Sequence, residues 1–373
     1  MNPHKKYFGP SRLLSQVILS LVAAALVFAA CGDTTATPAA TGSPAAATGA
    51  PVRSTGLTGT VRLGFLPNLT HPQALFGIGN GLFSAALGKG VKLEIKPFNA
   101  GPASIEALLA GEIDLTYIGP NPAINAYVKT KGDAVRVIAG ATSGGVSFIV
   151  RSDIKFDSAK DLDGKKFATP QLGNTQDVAL RNYIKQNGFE TKENGGTVEV
   201  VPTENANILQ LFQNKQIDGA WVPEPWATRL IVEQKGKLFL DESSLWPDGK
   251  FVITHILAST KFLNGKPELV RAFLGAHVQA TQDIQKDPAA ARKVINEQLK
   301  ALTGKGLSDE VLASSFKKLQ ITLDPLKPSL LKSADSAFAL GFLGKQKPVF
   351  DNLYDLRILN EVLQEKGLPT IRQ

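Results

Sequence analysis

Residues 105–123 read IEALLAGEIDLTYIGPNPA, and residues 208–227 read ILQLFQNKQIDGAWVPEPWA. In both, a run with helical spacing leads into Ile-Asp and a short apolar stretch follows. Two prolines then flank one polar residue, Asn121 in the first segment and Glu224 in the second. A β-rich run cut off by proline between helical patterns is the strand of an α/β unit. Ile113 and Ile217 occupy equivalent places 104 residues apart, so the chain holds two related units.

Around the first segment, TVRLGFLP (60–67), VKLEIKPF (91–98) and AVRVIAGA (134–141) read as strands. KKFATPQ (165–171), TVEVVPT (197–203) and KLFLD (237–241) do the same around the second. Strand starts fall near 61, 91, 113 and 135, and again near 165, 197, 217 and 237. Helices are expected near 72–86, 102–110 and 122–131, then near 175–186, 204–215 and 225–235. The alternation predicts an α/β protein of two related units, each a mostly parallel sheet flanked by helices. After residue 255 the pattern turns helical. Ser308 followed by Asp309 and Glu310 marks a helix start, and Gly367 with Pro369 a stop, giving a helical C-terminal region.

The 373 residues, 43% of them apolar, suffice for two cores. Residues 1–30 carry Lys5, Lys6 and Arg12 without an acid, then the apolar run LLSQVILSLVAAALVFAA (13–30), which is the layout of an export signal. Ala29, Ala30 and the lone Cys31 resemble the lipobox of bacterial lipoproteins, with Phe28 where leucine is usual. A lipid on Cys31 is therefore expected, and an uncleaved membrane anchor is the competing reading. Residues 31–58 are Ala, Thr, Gly, Ser and Pro almost throughout and read as a disordered linker. The body is placed outside the cytoplasm, tethered to the cell membrane. The formal charge is +8, of which +3 belongs to the signal. No dense basic run with interleaved aromatics appears, so no nucleic-acid partner is expected.

In an open parallel sheet, ligands sit outside the carboxyl ends of the strands. The loops there place proline at or near four helix starts: Pro72, Pro102, Pro122 and Pro225. Asn121 is expected as a helix N-cap, and Thr70 with Gln73 as a capping box. Several helix starts facing one cleft would offer free N–H groups to an anion, each worth about 0.3–1 kcal/mol at exposed ends. Asn68, His71, Ser104, Thr142, Ser143, Gln171, Asn174 and Thr175 supply polar groups at that level, and Gly144-Gly145 allow close backbone approach. Glu224 opposes an anion unless it is turned away or paired. Trp221 and Trp226 are core or lid. The four histidines, His4, His71, His255 and His277, show no metal-ligand spacing. GIGNG (77–81) lacks the dinucleotide spacing, GKK (164–166) lacks the Ser/Thr of a P-loop, and no G-x-S-x-G elbow occurs. Neither a metal, a cofactor nor an enzymatic activity is expected.

With NAGPASIEALLAGEIDLTYIGPNPAI, QIDGAWVPEPWA and LASTKFLNGKPELVRAFLGAHVQAT in order, the chain resembles the solute-binding proteins of ABC importers for aliphatic sulfonates, taurine and nitrate. The resemblance implies a two-lobed type II periplasmic binding protein fold. Residues 59–147 plus 250–373 would form lobe 1, and 148–249 lobe 2, with crossings near 144–150 and 247–257. It implies a monomer that closes on a small anionic solute and presents it to an ABC permease. Family pocket loops correspond to Asn68, His71, Gly101, Ser104, Gly119, Asn121, Ser143, Gly144, Gly145, Gln171, Asn174, Thr175, Glu224 and Trp226. A sulfonate is favoured as the solute. Nitrate, bicarbonate and thiamine-pyrimidine precursors are the alternatives, and a sensor lipoprotein or a pyrimidine-synthesis-like enzyme would be a different class.

Overall fold

The computed structural model describes residues 56–372. The signal segment, Cys31 and nearly all of the linker lie outside the described residues. The first unit runs β1 (Gly59–Phe65), α1 (Pro72–Gly79), α2 (Leu82–Leu87), β2 (Val91–Pro97), α3 (Gly101–Leu109), β3 (Leu115–Ile118), α4 (Pro120–Lys129) and β4 (Val135–Gly144). The second runs β5 (Val146–Val150), β6 (Lys166–Pro170), α5 (Thr175–Gln186), β7 (Glu199–Thr203), α6 (Asn205–Gln213), β8 (Gly219–Pro223), α7 (Trp226–Val232) and β9 (Lys237–Asp241). The chain ends with β10 (Val252–Ser259), α8 (Thr260–Gly265), α9 (Pro267–Lys286), α10 (Pro288–Thr303), α11 (Asp309–Phe316), β11 (Leu319–Ile321), α12 (Lys327–Ala339) and α13 (Arg357–Glu365).

The first sheet has the order β11-β4-β10-β3-β1-β2 and the second β7-β6-β8-β5-β9. Within each, the leading three strands are parallel: β2-β1-β3 and β7-β6-β8. One antiparallel strand then separates the third strand from the fourth, β10 in the first sheet and β5 in the second. The intruding strand follows, in each case, the last strand of the other unit. β5 leaves β4 after the single residue Gly145, and β10 follows β9 after residues 242–251. Gly144 and Gly145 both hold positive φ (78° and 72°), which other residues adopt only with strain.

The Ile-Asp echo has a structural cause. Asp114 Oδ2 accepts the Arg62 N–H at 2.9 Å, and Asp218 Oδ2 accepts the Lys166 N–H at 2.8 Å, both across 52 residues. Each aspartate thus satisfies a backbone donor one residue before its ladder with the neighbouring parallel strand begins, at Leu63 with Leu115 and at Phe167 with Gly219.

Two hydrophobic layers cover the first sheet. Leu63, Tyr117 and Ile256 pack under α1, α9 and α10 on one face, and Ile118, Val137 and Leu257 under α4 and α12 on the other. In the second sheet Phe148, Phe167 and Trp221 face α5, while Ile149, Ala220 and Val222 face α6 and α7. Trp221 is fully buried and stacks on Phe148 at 5.2 Å between centroids, so it is core and not a lid. The single helix expected over 72–86 is two, because Gly81 turns into the left-handed region (φ 66°) between α1 and α2.

Candidate binding site

The carboxyl ends of the parallel strands in both sheets lead into α1, α3, α4, α5, α6 and α7, and none of these six helices receives a side-chain cap from its own N-cap residue. The contrast with α8, α10 and α11 is direct: Ser259, Asp287 and Ser308 each accept a backbone N–H of their helix. Ser308 is the cap that its sequence predicts. The two caps expected in the site loops are not formed. The N-cap of α4 is Gly119, because Pro120 takes the first helical position with its fixed φ, and Asn121 becomes a buried residue of the first turn whose Nδ2 reaches Ser333 O at 3.5 Å. At α1 the N-cap is His71, so Thr70 and Gln73 form no box. Gln73 instead donates to Ala141 O at 2.6 Å. Likewise Pro225 is itself the N-cap of α7.

Three of these helix starts meet across the two sheets. A Cβ on Gly119 would lie 2.5 Å from Thr175 Oγ1 and 3.5 Å from Ile253 O, and one on Gly101 would lie 2.9 Å from Asn174 Oδ1. Any larger residue would push α3 and α4 away from α5. Asn174 is the N-cap of α5 and Thr175 its first residue. Beside this contact, Thr254 pairs with Thr142 in the β10–β4 ladder, and His255 lies opposite both Ile118 and Gly140.

The polar atoms gathered there lack partners. Thr142 Oγ1, Thr175 Oγ1, Thr254 Oγ1 and both ring nitrogens of His255 are buried and make no hydrogen bond. An unmade bond on a buried polar atom costs about 1–3 kcal/mol. His71 is buried too, and its Nδ1 accepts from the Leu66 N–H at 3.4 Å, which leaves the ring proton on Nε2. Burial, reinforced by His255, pushes the His71 pKa down to about 3, and burial alone does the same to His255. Both imidazoles are therefore neutral at pH 7 and could donate one N–H each without carrying charge.

The remaining predicted residues divide. Ser104 spends its hydroxyl on Thr116 (2.8 Å), and Ser143 Oγ accepts from the Phe251 N–H (3.2 Å), so both are structural in this state. Gln171 sits in the loop after β6 at φ 34°, with its N–H on Thr203 O. Trp226 Nε1 donates to Asn68 Oδ1 at 2.8 Å, a hydrogen bond from the first residue of α7 to the loop after β1. Glu224 is paired. Its Oε1 accepts from Lys318 Nζ (2.8 Å), and its Oε2 from Ser315 Oγ (2.9 Å) and from the Thr228 N–H of α7 (3.1 Å). A carboxylate engaged in this way already serves the α7 start. Thr254 and His255 were not among the expected site residues, although a Thr-His pair inside the apolar strand VITHILAS is a legible signal.

A cavity of about 310 Å³ is lined by Pro67-Asn68 and Phe98-Asn99 of the first unit and by Glu204–Ala206 and Pro225-Trp226 of the second. A second, of about 70 Å³, is lined by Asn121, Thr175, Trp221, Glu242 and Trp246. Among the described residues no group of three His, Cys, Asp or Glu side chains could hold a metal ion.

Residues 57–298 match the NMT1-like family along their whole length. The chain belongs to the NMT1-like family. A putative binding protein of Brucella abortus (strain 2308) is 27% identical over 233 residues, covering 60% of this NMT1-like chain and 70% of the relative. Among solved structures, the alkanesulfonate-binding protein of Xanthomonas axonopodis pv. citri, bound to MOPS, superposes with a TM-score of 0.67 at 21% identity, over 80% of this chain and 99% of that one. The periplasmic nitrate-binding protein of Synechocystis PCC 6803 superposes with a TM-score of 0.71 at 16% identity, over 85% and 91%. These similarities establish the fold as that of the periplasmic binding proteins.

Proposed function

We propose that this NMT1-like protein is the extracytoplasmic solute-binding subunit of an ABC importer, and that it holds a small oxyanion-bearing solute between its two sheets, an aliphatic sulfonate first among the candidates. One observation carries the reading: Thr142, Thr175, Thr254 and His255 bury polar atoms without partners where uncapped helices α3, α4 and α5 meet. Hydroxyls, neutral imidazole N–H groups and helix N-termini are donors of the kind that bind anions without a fixed positive charge. The sulfonate- and nitrate-binding proteins of the same fold support the solute class. In this reading residues 59–147 with 250–373 form one lobe and 148–249 the other, Gly144-Gly145 act as hinge, the permease reads closure, and a lipid on Cys31 tethers the whole.

Calorimetry on the chain without its signal segment, against alkanesulfonates, taurine, nitrate, bicarbonate and a pyrimidine, tests this. A saturable response to an oxyanion is expected, with about 2.7 kcal/mol of added stability at a hundred times Kd. Thr175→Val should lose at least tenfold in affinity while melting at the same temperature or higher, since it deletes an unpartnered hydroxyl. Silence toward every anion would remove the reading.

A further inference from the structure

The 70 Å³ cavity has α5 and the segment 242–246 on one side and α12 on the other, and its two walls belong to different halves of the molecule. Leu330, Ala334 and Ala337 fix α12 in a hydrophobic layer of the first sheet, with Ile118, Val137 and Leu257. Trp221 and Trp246 pack with Phe148 and Phe251 in the core of the second. Glu242 lines the cavity and is 3% exposed. Its Oε2 accepts from Trp221 Nε1 at 2.6 Å and its Oε1 from Trp246 Nε1 at 3.3 Å, so both donors come from the second half. A buried carboxylate needs a cation to offset its desolvation, and among the described residues none pairs with Glu242. The charged and titratable groups around it are Asp241 beside it, Tyr183 on α5 and Lys332 on α12. Burial, reinforced by Asp241, raises the Glu242 carboxyl to about 7, and burial also pushes the Tyr183 phenol up. Lys332 is engaged elsewhere. Its Nζ donates to Leu245 O at 3.1 Å and lies 4.7 Å over the Trp246 ring, two contacts that cross from α12 to the second half.

We propose that bringing the two halves together moves one proton from solvent onto Glu242, and that Lys332 is the clasp that holds α12 over this carboxyl. The inference rests on the hinged reading above and adds a linkage that does not depend on which solute is bound. When the halves part, α12 leaves with the first sheet, water reaches Glu242 and the carboxylate forms. When they meet, α12 covers the carboxyl, desolvation disfavours its charge and it takes up a proton, with both indoles still as donors. A group whose pKa is higher in the closed form favours that form at low pH. The advantage is complete below pH 4.5, is lost by up to tenfold per unit as pH rises to about 7, and is absent above that.

Thiol alkylation tests this without any solute. Ser333, on α12 at the cavity wall, is 9% exposed, so Ser333→Cys places a reporter where reagent arrives when the halves part. The chain without its signal segment is alkylated with and without Glu242→Gln at pH 5, 6 and 7, and modification is read on the peptide that carries position 333. The ratio of the two rates at each pH cancels the ionisation of the thiol and the titration of other groups, His71 and His255 included. The rate with Glu242 intact, relative to Glu242→Gln, is expected to rise about five- to tenfold per pH unit. Glu242→Leu supplies a second uncharged reference if Glu242→Gln does not fold. Lys332→Met should raise the rate several-fold at pH 5. A ratio that stays flat from pH 5 to pH 7 while the thiol reacts overturns the proton linkage and leaves the hinged reading standing. An unchanged rate in Lys332→Met overturns the clasp. A thiol that stays unreactive in every chain, Lys332→Met included, removes the hinged reading as well.

Discussion

Glu224 has no exposed surface, yet its carboxylate meets an ammonium, a hydroxyl and a backbone N–H, drawn from Lys318, Ser315 and Thr228. Removing one partner of a buried ion pair leaves an uncompensated charge and typically costs 3–5 kcal/mol. The Lys318 side chain keeps 21% of its surface in water, so the lower end applies. Lys318→Met is expected to destabilise the chain by about 2–3 kcal/mol in urea denaturation, and Glu224→Gln in the same chain should restore most of it. Additive losses in the double variant would show that the two groups do not interact. The sequence presents Glu224 only as an unwelcome negative charge near an anion. Its two side-chain partners lie 91 and 94 residues downstream, on α11 and just before β11, and no local pattern announces them. Asn121 is the converse. Its position between two prolines is legible, but whether the first or the second proline opens the helix depends on where β3 ends, which is set by its pairing with β10 and β1.

At the level of elements, the approach of α4 to α5 depends on the absence of one methyl group. Gly119 has an ordinary φ of −74°, so alanine suits its backbone, and the whole penalty would come from the 2.5 Å encounter with Thr175 Oγ1. Gly119→Ala is expected to cost about 1–3 kcal/mol, the usual range for overpacking, and Thr175→Ala should recover a good part of that by removing the opposing oxygen. A double-mutant cycle by chemical denaturation reads the coupling, and a coupling of zero would mean that the two helix starts do not touch. The helices themselves were largely legible: α5 matches its predicted span of 175–186, and α3, α4, α6 and α7 lie within three residues of theirs. Proline and glycine punctuation gave these boundaries. What it could not give was the role of β5 and β10, since an antiparallel intruder has the same apolar composition as a parallel strand buried on both faces.

Across the whole molecule, buried titratable groups set how stability responds to pH. Burial pushes His71 and His255 down to about 3 and His277 to about 4, whereas in the unfolded chain each takes a proton near 6.5. Below pH 6.5 the unfolded state therefore binds more protons, and stability falls as pH falls, by about 1.4 kcal/mol per unit for each proton. Glu242 works the other way. Burial raises it to about 7 despite indole donors at 2.6 and 3.3 Å, so its contribution is complete below 4.5 and is lost as pH rises through 7. Three groups outweigh one, and urea midpoints should drop from pH 6.5 to pH 5. Glu242→Gln should gain on the wild type at pH 8 but not at pH 5. A midpoint that does not move between pH 6.5 and pH 5 would mean that these imidazoles are not buried neutral. Two α/β units, their strand order in sequence and the loops that carry polar groups were determined by the sequence alone, because hydrophobic period, proline and glycine act within a few residues. The exchange of β5 and β10 between sheets, the Glu224–Lys318 pair, the unpartnered Thr254 and His255 and the cavity beside Asn205 were decided only by tertiary structure. They join residues tens to more than a hundred positions apart, and what each polar atom finds there depends on how the two sheets meet.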